Sequence, residues 1–168
     1  MTYMLPLGIL LAGALNVGVS TTARAQTVVD VLRQQADMGI FATLVERSGL
    51  AEQLSGSGPF SLYVPTDSDF GRLSFEMRSM LVAEANRDAV RRFVLSHVTM
   101  RARSLDYTSG YNEFVANSLA GNQIRFVREQ AEGDGANGGS ITANGIPVEG
   151  NIRATNGYIH RIGGFLAD

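Results

Sequence analysis

The residues of this sequence whose types could do chemistry are few, and the densest group is the segment PTDSDF that begins at Pro65. Thr66, Asp67 and Asp69 bring a hydroxyl and two carboxylates together after an alternating apolar run that predicts a strand. Such a set could bind a ligand. It also fits a helix start, in which Thr66 accepts a backbone N–H, Asp69 reaches back in a capping box and Asp67 lies near the positive end of the helix dipole. We interpret the segment as a strand-to-helix switch, in which Pro65 ends the strand and Phe70 returns to the core.

The two histidines are the next candidates, for metal ligation or general base catalysis. His97 falls on an apolar helical face with Val90 and Phe93, and His160 lies in a predicted strand beside Tyr158. Each could equally be a buried imidazole that hydrogen-bonds to the backbone. Because buried polar groups must be paired whatever their role, we interpret both histidines as structural.

Motifs that would identify an enzyme or a cofactor site are missing or misplaced. Cysteine is absent, which excludes disulfides and thiolate sites, and the sequence contains neither H-E-x-x-H nor G-x-S-x-G. One G-x-G-x-x-G match spans residues 133–138, but a predicted hairpin follows it where a dinucleotide site needs a helix. The acidic residues of the same loop lack the spacing of an EF-hand. We therefore expect no catalytic residue, no cofactor and no metal.

Composition favours one globular domain. The chain has 168 residues, of which 45% are hydrophobic and 18% charged, and its net charge of -2 provides no basic surface for nucleic acid. An arginine cluster at positions 87, 91, 92, 101 and 103 is interpreted as a solvated face, with a docking patch for an anionic glycan or partner as the alternative.

The first 25 residues are predicted to be a signal peptide. The apolar run Leu5–Val19 precedes Ala23-Arg24-Ala25, which fits the small-x-small cleavage pattern and makes Gln26 the expected first residue of the mature chain. The rival interpretation is an uncleaved membrane anchor, but the run is shorter than the roughly 20 apolar residues that span a bilayer. No stable membrane insertion is expected after cleavage. The predicted location is periplasmic or extracellular.

Helical patterns come first and strand patterns last, which indicates an α+β fold. Apolar residues recur at helical spacing in three stretches, which contain Ile40, Phe41, Leu44 and Val45; Phe75, Met77, Met80 and Leu81 after the N-cap Ser74; and Val90, Phe93, Val94 and His97. In the second half, Asn144-Gly145 and Asn156-Gly157 each lie between β-branched runs, which predicts two hairpins with type I′ turns.

This order of motifs resembles the fasciclin (FAS1) domain family. The resemblance rests on Val64-Pro65-Thr66-Asp67 with Phe70, and on Asn156-Gly157-Tyr158-Ile159-His160-Arg161-Ile162. Between these two segments the family carries a Tyr-His pair at a helix end, where this sequence has Ser96-His97. The resemblance covers residues 26–168 and implies a single domain with helices packed on a mostly antiparallel β wedge and C-terminal hairpins.

The resemblance also implies a non-enzymatic interaction module in cell adhesion or in cell-surface or matrix contact. Its partner would be an unidentified surface or extracellular protein or glycan, and the oligomeric state stays open. The favoured contact surface is the stretch 101–111, since arginine and tyrosine supply much of the energy at interface centres. Its candidate residues are Arg101, Arg103, Tyr107 and Tyr111. The rival surface is the acidic, glycine-rich loop 129–139.

Two other functions stay open. The first is a periplasmic carrier of an apolar small molecule, which a cavity lined by methionine and phenylalanine would favour. The second, a hydrolase, is a minor alternative because its motifs are missing.

Overall fold

Helices fill the first part of the chain and strands the last, so the predicted α+β class is confirmed. The structure is a computed structural model that describes residues 26–101, 112–129 and 139–166. The helices are α1 (Val28–Arg33), α2 (Gly39–Arg47), α3 (Ala51–Ser55), α4 (Asp67–Phe70), α5 (Phe75–Val82) and α6 (Arg87–Ser96), with one 3-10 turn at Glu84–Asn86. The strands are β1 (Phe60–Pro65), β2 (Val98–Thr99), β3 (Glu113–Asn117), β4 (Gln123–Glu129), β5 (Ser140–Ala143), β6 (Ile146–Ala154) and β7 (Gly157–Ile162).

The described strands form one seven-stranded sheet in the order β2-β1-β7-β6-β5-β4-β3. Every neighbouring pair is antiparallel except β1 and β7, which run parallel. The two edges of the sheet meet at one point, where Thr99 of β2 pairs with Ser118 just after β3 and the Leu119 N–H donates to the Val98 carbonyl at 2.7 Å. This contact curls the sheet into the mostly antiparallel wedge that the resemblance implied.

The sheet separates two apolar cores. The larger core lies under the helices, where Phe60, Leu62 and Val64 of β1 pack with residues of α1, α2 and α6. The smaller core lies on the other face and contains Tyr63 and Ile162. Because β1 is covered on both faces, all six of its residues are buried.

Two of the predicted helical faces need correction. Phe41, Leu44 and Val45 of α2 are buried as predicted, but Ile40 is 41% exposed because it lies on the outer side of the first helical turn. In α5, Phe75 is 75% exposed and only Leu81 is buried. The packing of α5 is shallow because the helix contacts mainly α6 and the adjoining 3-10 turn.

One of the two predicted type I′ turns is wrong. Asn144 and Gly145 have φ of 52° and 79°, as a type I′ turn requires. Neither Asn156 nor Gly157 has a positive φ. The turn between β6 and β7 is formed by Thr155 and Asn156, and Gly157 is already the first residue of β7. Sequence spacing could not distinguish the two pairs, because contacts with distant parts of the chain determine the role of Asn156 and Gly157.

Candidate functional site

The two segments that carry the family resemblance lie side by side in the sheet. β1 and β7 pair in parallel, so that Tyr63 lies opposite His160, Val64 opposite Arg161 and Pro65 opposite Ile162. The polar residues that follow β1 and those of β7 therefore belong to one region of the molecule.

Thr66 and Asp69 form the helix start expected from the sequence. Thr66 is the N-cap residue of α4, and the Asp69 carboxylate accepts its backbone N–H at 3.0 Å and its hydroxyl at 2.6 Å. Asp69 is buried, and the exposed Arg72 approaches its other oxygen at 3.3 Å. The oxygens that could have bound a ligand are thus occupied by the chain itself.

Asp67 caps a different helix from the one it begins. Its carboxylate accepts the N–H groups of Gly39 at 3.2 Å and Ile40 at 2.8 Å, at the N-terminus of α2. The N-cap residue of α2, Met38, provides no side-chain cap, so Asp67 supplies the missing acceptor from across the domain. The sequence gives no local signal for this contact.

An ion pair that sequence reasoning missed links the two family segments. The Arg161 guanidinium donates to both oxygens of Asp37, at 2.9 and 3.3 Å, while the Asp37 carbonyl accepts the Asp67 N–H at 2.8 Å. Hydrogen bonding from Arg161 lowers the pKa of Asp37. Because Asp37 lies far from both partners in sequence, no motif identifies it.

Asn156 joins two helices to the last hairpin. Its Oδ1 accepts the N–H of Val28, the first residue of α1, at 2.8 Å. Its Nδ2 donates to the carbonyls of Leu54 and Gly56 at the end of α3, both at 2.8 Å. The asparagine thereby satisfies one orphan donor and two orphan acceptors at helix ends.

His97 is fully buried at the end of α6. Its Nδ1 lies 2.8 Å from the Phe93 carbonyl and must donate to it, while Nε2 accepts the Leu166 N–H at 3.0 Å. This pairing requires the neutral imidazole with its proton on Nδ1. Burial lowers the pKa of His97 to about 4, so the ring is neutral at physiological pH.

His160 is also fully buried, in β7. Its ring stacks on Tyr63 at 5.2 Å and on Tyr158 at 6.2 Å between ring centroids. Its Nδ1 lies 3.0 Å from the Gly150 carbonyl, which can only accept. Both histidines thus make the backbone contacts expected of structural residues.

The favoured partner surface is only partly visible. Arg101 is exposed at the end of β2, whereas Arg103, Tyr107 and Tyr111 lie outside the described residues, as does loop 129–139 except its two ends. Beside Arg101, two large apolar side chains face solvent, Met100 at 50% and Val115 at 49% exposure. A cleft of about 250 Å³ separates Thr99–Arg101 from Val115–Asn117, where the two sheet edges diverge.

A second cleft, of about 270 Å³, lies between α5, α6 and the turn after β3. Its walls are Met77, Met80, Ala89, Arg92, Phe93, Ser96, Ala120 and Asn122. Ser96, which stands where the resemblance implies a tyrosine, is buried, and its hydroxyl donates to the Phe93 carbonyl at 2.7 Å. Its small side chain helps leave the cleft open.

Clusters of metal ligands and membrane-spanning helices are absent from the described ranges 26–101, 112–129 and 139–166. In these ranges, no group of three or more histidine, aspartate or glutamate side chains is placed to hold a metal ion. No helix in these ranges has the length and apolar character needed to cross a membrane.

The sequence is similar to those of several known proteins. Protein sll1483 of Synechocystis sp. is 28% identical over 148 residues, covering 87% of this chain and 76% of the relative. Transforming growth factor-beta-induced protein ig-h3 of Sus scrofa is 27% identical over 81% of this chain, and periostin of Homo sapiens is 28% identical over 77%. The chain spans only 18% and 14% of those two proteins.

A solved structure shows the same fold. It is a FAS1 domain pair from the insect cell adhesion molecule Fasciclin I, with a TM-score of 0.68 and 18% identity over 85% of this chain and 51% of that one. The fasciclin domain family itself matches residues 36–167. This match covers most of the sequence, and the chain therefore belongs to the fasciclin domain family.

Proposed function

We propose that this chain is an exported, non-enzymatic interaction module that contacts a cell-surface or extracellular protein or glycan. The supporting observation is the distribution of polar and apolar groups. Thr66, Asp67, Asp69, Asn156 and His97 are engaged inside the domain. Two exposed apolar side chains, Met100 and Val115, lie with the exposed Arg101 where the sheet edges diverge. The insect protein whose FAS1 domain pair shares this fold is a cell adhesion molecule, which is in keeping with this role.

The proposed contact surface begins at the divergent edges and continues into the stretch 101–111. Met100 and Val115 are about half exposed on the two sides of the cleft, and Arg101 is exposed next to them. Apolar side chains and arginine are typical of interface centres, and the sequence after Arg101 adds a second arginine and two tyrosines, residue types that are also enriched there. We therefore retain Arg101, Arg103, Tyr107 and Tyr111 as the residues of contact.

Substitution of Arg103 and Tyr107 by alanine should weaken partner binding by roughly tenfold or more, since each truncation at an interface centre removes on the order of 1–2 kcal/mol. Arrays of surface proteins and glycans would first supply a partner, and biolayer interferometry would then measure its dissociation constant with each variant.

Two control variants separate this surface from the alternatives. Phe75→Ala removes the most exposed of the large apolar side chains on α5 and should leave binding unchanged. A shortened 132–139 loop should also bind normally. If the loop variant loses binding while the Arg103/Tyr107 variant binds like the wild type, the contact lies on the other surface.

Export would be checked on native material. Intact-mass spectrometry of the protein from its natural source should give a chain that begins at Gln26, because Ala23-Arg24-Ala25 fits a cleavage site. A mass that retains residues 1–25 would contradict cleavage.

One observation favours a second candidate function, the carrier of an apolar small molecule. The cleft between α5 and α6 is lined by Met77, Met80 and Phe93, the residue types expected for such a site. Its volume of about 270 Å³ suits a ligand smaller than a typical drug, for which pockets of roughly 300–1,000 Å³ are usual.

A further inference from the structure

The cleft between α5 and α6 has an apolar wall and a polar wall. Ala89, Arg92, Phe93 and Ser96 recur at helical spacing, so they form one face of α6. Met77 and Met80 of α5 are half-buried on the apolar side. Asn122, in the turn between β3 and β4, adds a polar group.

The apolar side can accept an alkyl chain or a ring. Methionine side chains are unbranched and polarizable, so Met77 and Met80 can adapt to an irregular shape. Phe93 is anchored from behind, because its ring packs on His97 at 4.7 Å and on Phe165 at 5.9 Å. One wall is therefore rigid and the other adaptable.

The polar side carries an available positive charge. Within the described residues, neither the Arg92 guanidinium nor the Asn122 side-chain amide has a hydrogen-bond or ion-pair partner, whereas the preceding Arg91 donates to Gln53 at 3.3 Å. Arginine presents paired N–H donors that match a carboxylate in a bidentate manner. One guanidinium balances one negative charge, which favours a monocarboxylate over a doubly charged phosphate ester.

We propose that this cleft binds a small amphiphilic monocarboxylate, with its apolar part against Met77, Met80 and Phe93 and its carboxylate at Arg92 and Asn122. The inference rests on the carrier function proposed above and names the class of its ligand. It is independent of the partner surface at Met100, Arg101 and Val115, which lies elsewhere on the molecule.

The test is NMR spectroscopy of the mature protein, with ¹³C-labelled methionine methyl groups whose chemical shifts are followed as a probe is added. Octanoate and octan-1-ol serve as probes, because they share an alkyl chain and differ in charge. Both should shift the Met77 and Met80 signals saturably. Met38, in the core, and Met100, at the sheet edge, should not respond and so serve as internal references.

Three variants test which cleft residues contact the carboxylate and which contact the alkyl chain. Arg92→Gln should weaken octanoate roughly two- to fivefold, the range expected for an exposed ion pair, and leave octan-1-ol unchanged. Arg78→Gln removes an exposed charge outside the cleft walls and should change neither probe. Ala89→Leu fills the cleft from α6 and should weaken both, with the denaturant midpoint confirming that each variant is folded.

The outcomes separate the two proposals. If no methionine signal shifts up to the solubility limit of either probe, or if all four shift alike, the carrier function itself is overturned. If Met77 and Met80 respond but Arg92→Gln weakens both probes equally or neither, the cleft is a carrier site and the carboxylate assignment is wrong.

Discussion

Gly157→Ala is expected to lower the free energy of unfolding by about 4 kcal/mol or more. Losses of this size are exceptional for single substitutions and arise where a new side chain cannot fit without moving the backbone. A Cβ at this position would lie 2.0 Å from the Phe60 carbonyl oxygen and 2.8 Å from its carbon. Both are backbone atoms at the start of the parallel β1–β7 pair, so relief requires the two strands to separate. Urea denaturation of the variant, or its failure to accumulate as folded protein, would measure the effect.

Gly145→Ala is the matched control, because it changes the glycine of the other Asn-Gly pair. A Cβ there meets no atom within 4 Å, and only its φ of 79° opposes the substitution. The expected cost is about 1 kcal/mol, the usual penalty for a left-handed conformation. Equal losses in the two variants would contradict the close approach of β7 to β1 as the cause of the requirement for glycine at position 157.

His97→Ala should lower the free energy of unfolding by about 2–4 kcal/mol at neutral pH. The substitution leaves a cavity among Phe41, Phe93 and Phe165, whose rings lie 4.7–6.4 Å from the imidazole. It also leaves the buried Leu166 N–H without its acceptor. A loss below about 1 kcal/mol in chemical denaturation would contradict the structural role given to this histidine.

The free energy of unfolding should fall as the pH is lowered, because His97 is buried as the neutral imidazole. The pKa of His97 is about 4 in the folded protein against 6.5 for the free side chain, so above pH 6.5 the ring is neutral in both states and its contribution is complete. As pH falls from 6.5 towards 4, the unfolded chain takes up a proton that the folded protein excludes. The free energy of unfolding should then decline by about 1.4 kcal/mol per pH unit, roughly 3 kcal/mol in total.

His97→Phe provides the control for this decline. It keeps an aromatic ring near the three phenylalanines but has no group that titrates. Between pH 6.5 and 4 the free energy of unfolding of this variant should therefore fall by roughly 3 kcal/mol less than that of the wild type. Parallel curves for the two proteins would assign the pH dependence to other groups.

The sequence predicted the elements whose signals are local. Ser74 accepts the Met77 N–H at 3.2 Å as the predicted N-cap of α5, and Asn144-Gly145 forms the predicted turn. The buried face of α6 with Val90, Phe93 and Val94 was also correct. In each case the stabilising contacts lie within one or two turns of the chain, which is the range that periodicity and capping patterns report.

Most of the errors and omissions involve contacts between distant residues. Phe75 has the residue type of a core position, but α5 packs too shallowly to cover it. The partners of Asn156 lie 100 to 128 residues away, and Arg161 pairs with an aspartate 124 residues earlier. A family motif marks such residues without stating what they bind. The α5–α6 cleft is likewise a property of three separate elements.

The parallel pairing of β1 with β7 sets the order in which the domain can be completed. β7 is the last of the described strands along the chain, yet it lies between β1 and β6 within the sheet. Until it arrives, β1 lacks a neighbour along one side, and most of the sheet's contacts with high sequence separation are missing. Truncation before Gly157 would thus leave the facing edges of β1 and β6 without a partner strand. Unpaired strand edges can pair with other chains, so an incomplete chain should aggregate as well as lose stability.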